Sequence, residues 1–118
     1  MESLISVRSY FHGSHSLKDH PECGWDCGHT WNVEILVAGE ENHERFSMPV
    51  DEAKLQAELH SIKRELSGKD IDQLIKPSIS SIMGIAHWYH ERLASRYDVR
   101  EVQVWQDNGT VRSILRGP

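Results

Sequence analysis

The chain has 118 residues, of which 38% are hydrophobic and 26% are charged, so it is long enough for one packed core but not for two. Thirteen Lys and Arg against 18 Asp and Glu give a net charge of −5, which argues against a nucleic-acid-binding surface. No apolar run approaches the roughly 20 residues of a membrane span, and the N-terminal segment lacks the features of a signal peptide. We therefore predict one cytoplasmic domain over residues 1–118, with reduced cysteines.

The first half of the sequence predicts three strands, because two segments alternate between apolar and polar residues and a short apolar run follows a polar turn. These predicted strands are residues 3–11, 30–38 and 45–50. Residues 12–29, between the first two strands, are rich in Gly, His and Asp, as expected of a loop. We expect the second and third strands to pair as neighbours.

The apolar period changes to that of a helix after Asp51, which is placed to cap the helix N-terminus. Gly68 ends this helix, and residues 69–77 form a connection. Ser80 or Ser81 then caps a second helix. Its predicted core-facing side chains are Ile82, Ile85, Ala86, Tyr89 and Leu93.

Two more strands are predicted on either side of Asn108-Gly109, the strongest short signal for a β-hairpin. The resulting order, β-β-β-α-α-β-β, indicates an α+β fold with two helices on one face of an antiparallel sheet. Apolar residues occupy both faces of the strands: Leu4, Tyr10, Leu36, Trp105 and Leu115. Because a chain this short has a limited core and open sheet edges pair with other chains, we predict a trimer or hexamer.

Both cysteines lie within "ECGWDCGHTWNVEILV", residues 22–37. If the second strand begins as early as Cys27, its thiol and the imidazole of His29 project from the same face. Thiolate and imidazole together favour zinc, and His15 is the nearest candidate for a third ligand. On spacing alone, an ordinary strand with a polar lead-in remains the alternative to a metal site.

Six segments occur in the order found in one enzyme family: "SYFHGSHSL", "CGWDCGHTWNVEILVAGE", "MPVDEAKLQ", "KDIDQL", "KPSIS" and "VQVWQD". They resemble the 6-pyruvoyl-tetrahydropterin and 6-carboxy-tetrahydropterin synthase family. The resemblance implies the T-fold, a four-stranded antiparallel sheet with two helices on one face, whose copies form a barrel with active sites between subunits. It also implies one zinc per chain at His15, Cys27 and His29, with cysteine in place of the family's middle histidine.

The resemblance further implies that Cys23 is the catalytic cysteine and Asp70 the aspartate of the proton relay. A thiolate near zinc would abstract a proton from the carbon next to a zinc-bound substrate oxygen. The alternative for Cys23 is that it is a fourth ligand, closing a structural zinc site with His15, Cys27 and His29.

Three family positions differ in this chain. The relay histidine is replaced by Ile71, the pterin-anchoring glutamate by Gln106 and a second glutamate by Ser80. A glutamine amide presents a donor where a pterin also presents donors, and Asp107, if it continues the strand, points to the other face. The histidines that could replace the relay histidine, each expected on a solvated helix face, are His60, His87 and His90.

Two hypotheses follow. The first is a zinc-dependent biosynthetic enzyme that moves a proton on a small polar substrate other than a pterin, with a lyase, cyclase or isomerase outcome and Gln106 in the substrate site. The second is a non-catalytic, zinc-stabilised scaffold or binding subunit of the same fold.

Overall fold

The computed structural model describes residues 3–16, 27–39 and 51–117 of the chain. Its elements are β1 (Leu4–His15), β2 (Cys27–Ala38), α1 (Glu52–Leu66), β3 (Lys69–Asp70), α2 (Ile82–Ala94), β4 (Asp98–Gln106) and β5 (Ser113–Arg116). The predicted strand over residues 45–50 lies outside the described residues. The predicted α+β class is confirmed, and no described helix is long and apolar enough to cross a membrane.

The sheet has the order β3-β1-β2-β4-β5, with β3 parallel to β1 and all other pairs antiparallel. The prediction of four antiparallel strands therefore needs correction, because residues 69–70 form a fifth strand instead of part of a connection. Gly68, whose φ is +73°, turns the chain out of α1 and donates its amide to the carbonyl of His12. Tertiary pairing with β1 thus creates a strand that two residues could not form alone.

The first two strands are longer than the sequence pattern predicted. They pair antiparallel from Leu4 opposite Ala38 to His15 opposite Cys27, so His15 is the last residue of β1 and does not lie beyond it. The polar lead-in of β2 is strand because every residue from Cys27 onward has a partner on β1. This pairing carries both strands past the core toward one end of the sheet.

Both helices begin at side-chain caps. Asp51 accepts a hydrogen bond from the amide of Lys54, and Ser81, not Ser80, accepts one from the amide of Gly84. The helices pack on one face of the sheet, where Trp31 and Val104 are fully buried. The predicted inward face of α2 is confirmed except for Ile82, which is only partly buried.

The opposite face of the sheet carries Trp105, next to the buried Val104. Exposed apolar side chains remain on β1 and on the outer strand β5, with Leu4 45% and Ile114 54% exposed. Leu115, by contrast, packs against the core.

Candidate active site

His15 and His29 meet at the end of the sheet, on the face that the helices cover. Their ring centroids are 5.1 Å apart, and both rings lie edge-on to Trp31. His15 is fully buried and His29 is partly buried. Because β2 begins at Cys27, His29 lies within the strand and projects from the same face as Trp31, as the sequence alternation predicts.

The imidazole of His15 is fixed from the helix layer. Its Nδ1 lies 2.6 Å from the main-chain carbonyl of Ser80, immediately before the cap of α2. Because a carbonyl can only accept, Nδ1 of His15 is the donor. In a neutral imidazole the lone pair then lies on Nε2, the arrangement found in metal-binding histidines.

The imidazole of His29 is fixed by Asp107, the residue that follows β4. Its Nδ1 lies 2.8 Å from Oδ2 of Asp107, and Oδ1 of the same carboxylate accepts the amide of Thr30 at 2.9 Å. Hydrogen bonds from these two donors lower the pKa of the Asp107 carboxyl, and the bond from His29 has the larger effect. The expectation that Asp107 points to the other face is wrong, because β4 ends at Gln106 and Asp107 has a φ of +52°.

Cys27 is directly opposite His15 in the strand register, which places its backbone beside the histidine pair. The side chain of Cys27, like the whole of Cys23, lies outside what the structure describes. Within the described residues, no three His, Cys, Asp or Glu side chains form a metal-binding group. The histidine pair is thus two members of the predicted ligand set.

A cavity of about 450 Å³ opens beside His29, whereas His15 does not line it. Its lining includes His12, His29, Thr30, Lys69 and Asp107. Sequence reasoning missed His12. The sequence pattern predicts a loop from residue 12, but His12 lies on β1, with Nδ1 2.9 Å from the hydroxyl of Thr30. The position of His12, one residue past the predicted end of the first strand, was the available signal.

A model of the family described as 6-pyruvoyl tetrahydropterin synthase matches residues 4–116 of the chain. The chain belongs to the 6-pyruvoyl tetrahydropterin synthase family. No curated protein matches the sequence significantly.

Two solved structures share the fold. The 6-pyruvoyl tetrahydropterin synthase of Caenorhabditis elegans matches with a TM-score of 0.82 at 17% identity, over 100% of this chain and 97% of that chain. An uncharacterized protein from Wolinella succinogenes matches with a TM-score of 0.81 at 14% identity, over 100% and 99%. These likenesses confirm the predicted T-fold.

The two residues that the resemblance assigns to the proton relay, Asp70 and Ile71, lie at and directly after the edge strand β3. Asp70, in β3, is opposite Ser14 and is exposed, and its Oδ1 accepts the amide of Asp72. Ile71 is fully buried in the core, and its amide donates to the carbonyl of Ser14. At the position where the resemblance places the family's relay histidine, the chain thus has a buried apolar residue.

The three histidines of the described helices do not take the place of the relay histidine. His60 and His87 are exposed on α1 and α2, as predicted, and His90 is partly buried on α2. None of these three lines the cavity beside His29. The family member therefore has a histidine pair at its site without a described relay histidine.

Gln106, at the position of the family's pterin-anchoring glutamate, is opposite Trp31 in the register. It lines a second cavity of about 470 Å³ together with Ser81 and Ile82. No described residue lines both cavities. Ser80 is buried and contributes its main-chain carbonyl, not a carboxylate, to His15.

Proposed function

We propose that this member of the 6-pyruvoyl tetrahydropterin synthase family is a zinc-dependent enzyme that transfers a proton on a small polar substrate other than a pterin. One observation carries the proposal. Both histidines of the pair donate Nδ1 to a protein acceptor, the carbonyl of Ser80 for His15 and the carboxylate of Asp107 for His29. Such acceptors commonly hold zinc-binding imidazoles in place.

The donor set fits zinc. Two imidazoles with Nε2 as the lone-pair nitrogen lie on adjacent strands, and Cys27 is opposite one of them in the register. We propose His15, His29 and Cys27 as the three ligands, since zinc binds imidazole and thiolate well and catalytic sites use three protein ligands. A thiolate in place of a third imidazole would make the metal a weaker Lewis acid.

When bound, zinc would polarise a substrate oxygen and acidify the neighbouring carbon. We propose that Cys23, as a thiolate, accepts the proton from that carbon, because a nearby cation lowers the pKa of a thiol. Asp70 would supply a carboxylate at the rim, where one of its oxygens already accepts the amide of Asp72. The partly buried Gln106 would donate and accept hydrogen bonds in the substrate site.

The substrate is proposed not to be a pterin because the anchoring chemistry has changed. Gln106 has one carbonyl acceptor, whereas a pterin presents adjacent N–H donors that a carboxylate accepts together. Ser80 also lacks a carboxylate, and a lost hydrogen bond to a charged group costs about 1.5–3 kcal/mol. The polar cavity residues His12, Thr30 and Lys69 favour a small ligand that carries oxygen atoms.

A non-catalytic, zinc-stabilised scaffold is the second candidate, and the burial of Ile71 favours it. A relay histidine has been replaced by a fully buried apolar side chain, so the proton path of the family is not retained at that position. In this alternative, Cys23 would be the fourth zinc ligand and would close the site.

X-ray absorption of the zinc-loaded protein separates the two candidates. If the protein is the proposed enzyme, the zinc has one sulfur ligand in both the wild type and Cys23→Ser, since Cys27 alone supplies it. A fall from two sulfur ligands to one in Cys23→Ser would instead establish the closed scaffold site.

Incubation of the zinc-loaded protein with dihydroneopterin triphosphate tests the substrate class. We expect turnover at least 10²-fold below that of a family member with an intact relay, because a general acid–base group typically contributes 10²–10⁴-fold. Comparable turnover would contradict the proposal that the substrate is not a pterin.

A further inference from the structure

We propose that Asp107 is the positioning residue of the candidate zinc site, and that it fixes both the tautomer and the orientation of His29. This inference rests on the proposed function, because it concerns a residue that would orient His29 as a zinc ligand. The residue follows the pterin-anchoring position of the family, and sequence reasoning placed it on the wrong face of the sheet.

The carboxylate of Asp107 serves two donors on β2 at once. Oδ2 accepts from Nδ1 of His29 at 2.8 Å, and Oδ1 accepts from the amide of Thr30 at 2.9 Å. Two neighbouring donors therefore meet two acceptor oxygens on one side chain. A carboxylate is the one side-chain group with two oxygens that only accept, so its match to this pair of donors is chemical as well as geometric.

The backbone of Asp107 is held in place to make this contact. Its φ is +52°, in the left-handed region that aspartate and asparagine tolerate better than most residues. Its amide donates to the carbonyl of Thr30 at 2.8 Å, and its carbonyl accepts from Nδ2 of Asn32 at 3.0 Å. Main chain and side chain together bind Asp107 to three residues of β2.

The side chain of Asp107 is 55% exposed, whereas that of His29 is 18% exposed. A contact with a carboxylate this exposed contributes little to folding stability, because water and salt screen the charge. The hydrogen bond still dictates which nitrogen carries the proton. Its main effect is therefore expected on the state of His29 and not on the stability of the fold.

The same arrangement occurs at His15, where the carbonyl of Ser80 accepts from Nδ1. Both histidines are therefore held as Nδ1–H tautomers, by acceptors from two segments that lie outside the helices and strands. A shared tautomer at two neighbouring imidazoles leaves both Nε2 atoms as the electron-pair donors, which is what joint coordination of one metal requires.

Replacement of Asp107 by asparagine tests this role with little change of shape. Asparagine tolerates the left-handed backbone but offers one acceptor oxygen for two donors. The amide of Thr30 can only donate, so it keeps that oxygen, and the NH₂ group of asparagine then faces Nδ1 of His29. Nδ1 becomes an acceptor, and the proton moves to Nε2, where it blocks metal binding.

The experiment measures the tautomer and the zinc affinity separately. Long-range ¹H–¹⁵N correlations of the imidazoles are recorded on the metal-free protein at about pH 8, where an ordinary imidazole is neutral. Zinc affinity is measured by competition with a chromophoric chelator. The matched control is Asp98→Asn, which changes another exposed carboxylate on β4, one paired with Arg100.

We expect the Nδ1–H tautomer of His29 in the wild type and the Nε2–H tautomer in Asp107→Asn. Zinc affinity should fall about 10–100-fold in Asp107→Asn and stay within about twofold in the control. A wild-type His29 in the Nε2–H tautomer, or an unchanged zinc affinity in Asp107→Asn, would overturn the role of Asp107. If the wild type and both variants all fail to bind zinc, the proposed function is overturned instead.

Discussion

Gly13 and Ile71 pack so closely that a Cβ atom at position 13 would lie 2.9 Å from Cγ2 of Ile71. The contact joins Ile71, the residue that follows β3, to β1 at a position two residues before His15. It also explains what the apolar side chain does at the relay position of the family. Ile71 fills space above a glycine, and so supports the strand that carries a candidate zinc ligand.

Gly13→Ala is therefore expected to lower the free energy of unfolding by about 1–3 kcal/mol, because the added methyl group overpacks the contact with Ile71. Gly28→Ala is the matched control. It changes a glycine on the neighbouring strand, where an added Cβ meets nothing within 4 Å. Urea unfolding measures both, and equal losses in the two variants would contradict the packing role of Ile71. The double variant Gly13→Ala/Ile71→Leu, which removes the Cγ2 methyl group and keeps a similar side-chain volume, should recover part of the loss.

Gly84 plays a similar part for Ser80. A Cβ atom at Gly84 would collide with the carbonyl of Ile79, in the turn that presents the Ser80 carbonyl to His15. Gly84→Ala should lower the free energy of unfolding by about 2 kcal/mol or more and change the imidazole signals of His15 in NMR spectra. Glu91→Ala, on the exposed face of the same helix, is the control. Unchanged His15 signals would show that the turn does not position this histidine.

The fold was largely predictable because its signals are local. The caps at Asp51 and Ser81, the helical spacing of the leucines and the alternation from Trp31 all depend on neighbouring residues. The two-residue strand β3 was not predictable, because it exists through pairing with β1.

The site was predictable only in part. The alternation along β2 placed His29 on the correct face. The acceptors of the two Nδ1–H groups, however, lie outside the strands that carry His15 and His29. The carbonyl of Ser80 belongs to a turn 65 residues from His15, and a main-chain acceptor leaves no mark in the sequence. Asp107 was misplaced because the left-handed φ at the end of β4 reverses the expected direction of its side chain.

Glu101 is expected to make stability depend on acid pH. Hydrogen bonds from Arg116 at 2.7 Å and Gln103 at 2.8 Å lower the pKa of its carboxyl from 4.5. Because the folded pKa is lowered, the unfolded chain binds more protons in acid. The stabilisation is therefore complete above the unfolded pKa and is lost as the pH falls through the folded pKa.

Glu101→Gln should therefore cost on the order of 1 kcal/mol at neutral pH, and the difference from the wild type should shrink as the pH falls below about 4.5. Denaturant unfolding across this range measures the effect. Asp98→Asn, which alters an exposed carboxylate, should show a much smaller difference. A gap between Glu101→Gln and the wild type that is constant with pH would contradict the assignment.

The exposed apolar side chains on β1 and β5 predict self-association into a trimer or hexamer. Within the described residues, β1 pairs with β3 only at Gly13 and Ser14, so most of its outer edge is open to another copy. The double variant Leu4→Lys/Ile114→Lys should shift the population toward monomer. Met83→Lys, at a 66% exposed position on α2, should not. Light scattering that shows a stable wild-type monomer at micromolar concentration would contradict this prediction.

The zinc content of protein purified without added metal tests the central claim most directly. The account predicts one zinc per chain in the wild type and in His87→Ala, which removes an exposed histidine of α2. It predicts loss of zinc in the double variant Cys27→Ala/His29→Ala, which removes two of the three proposed ligands. Full zinc occupancy in that double variant, or a wild type without zinc, would contradict it.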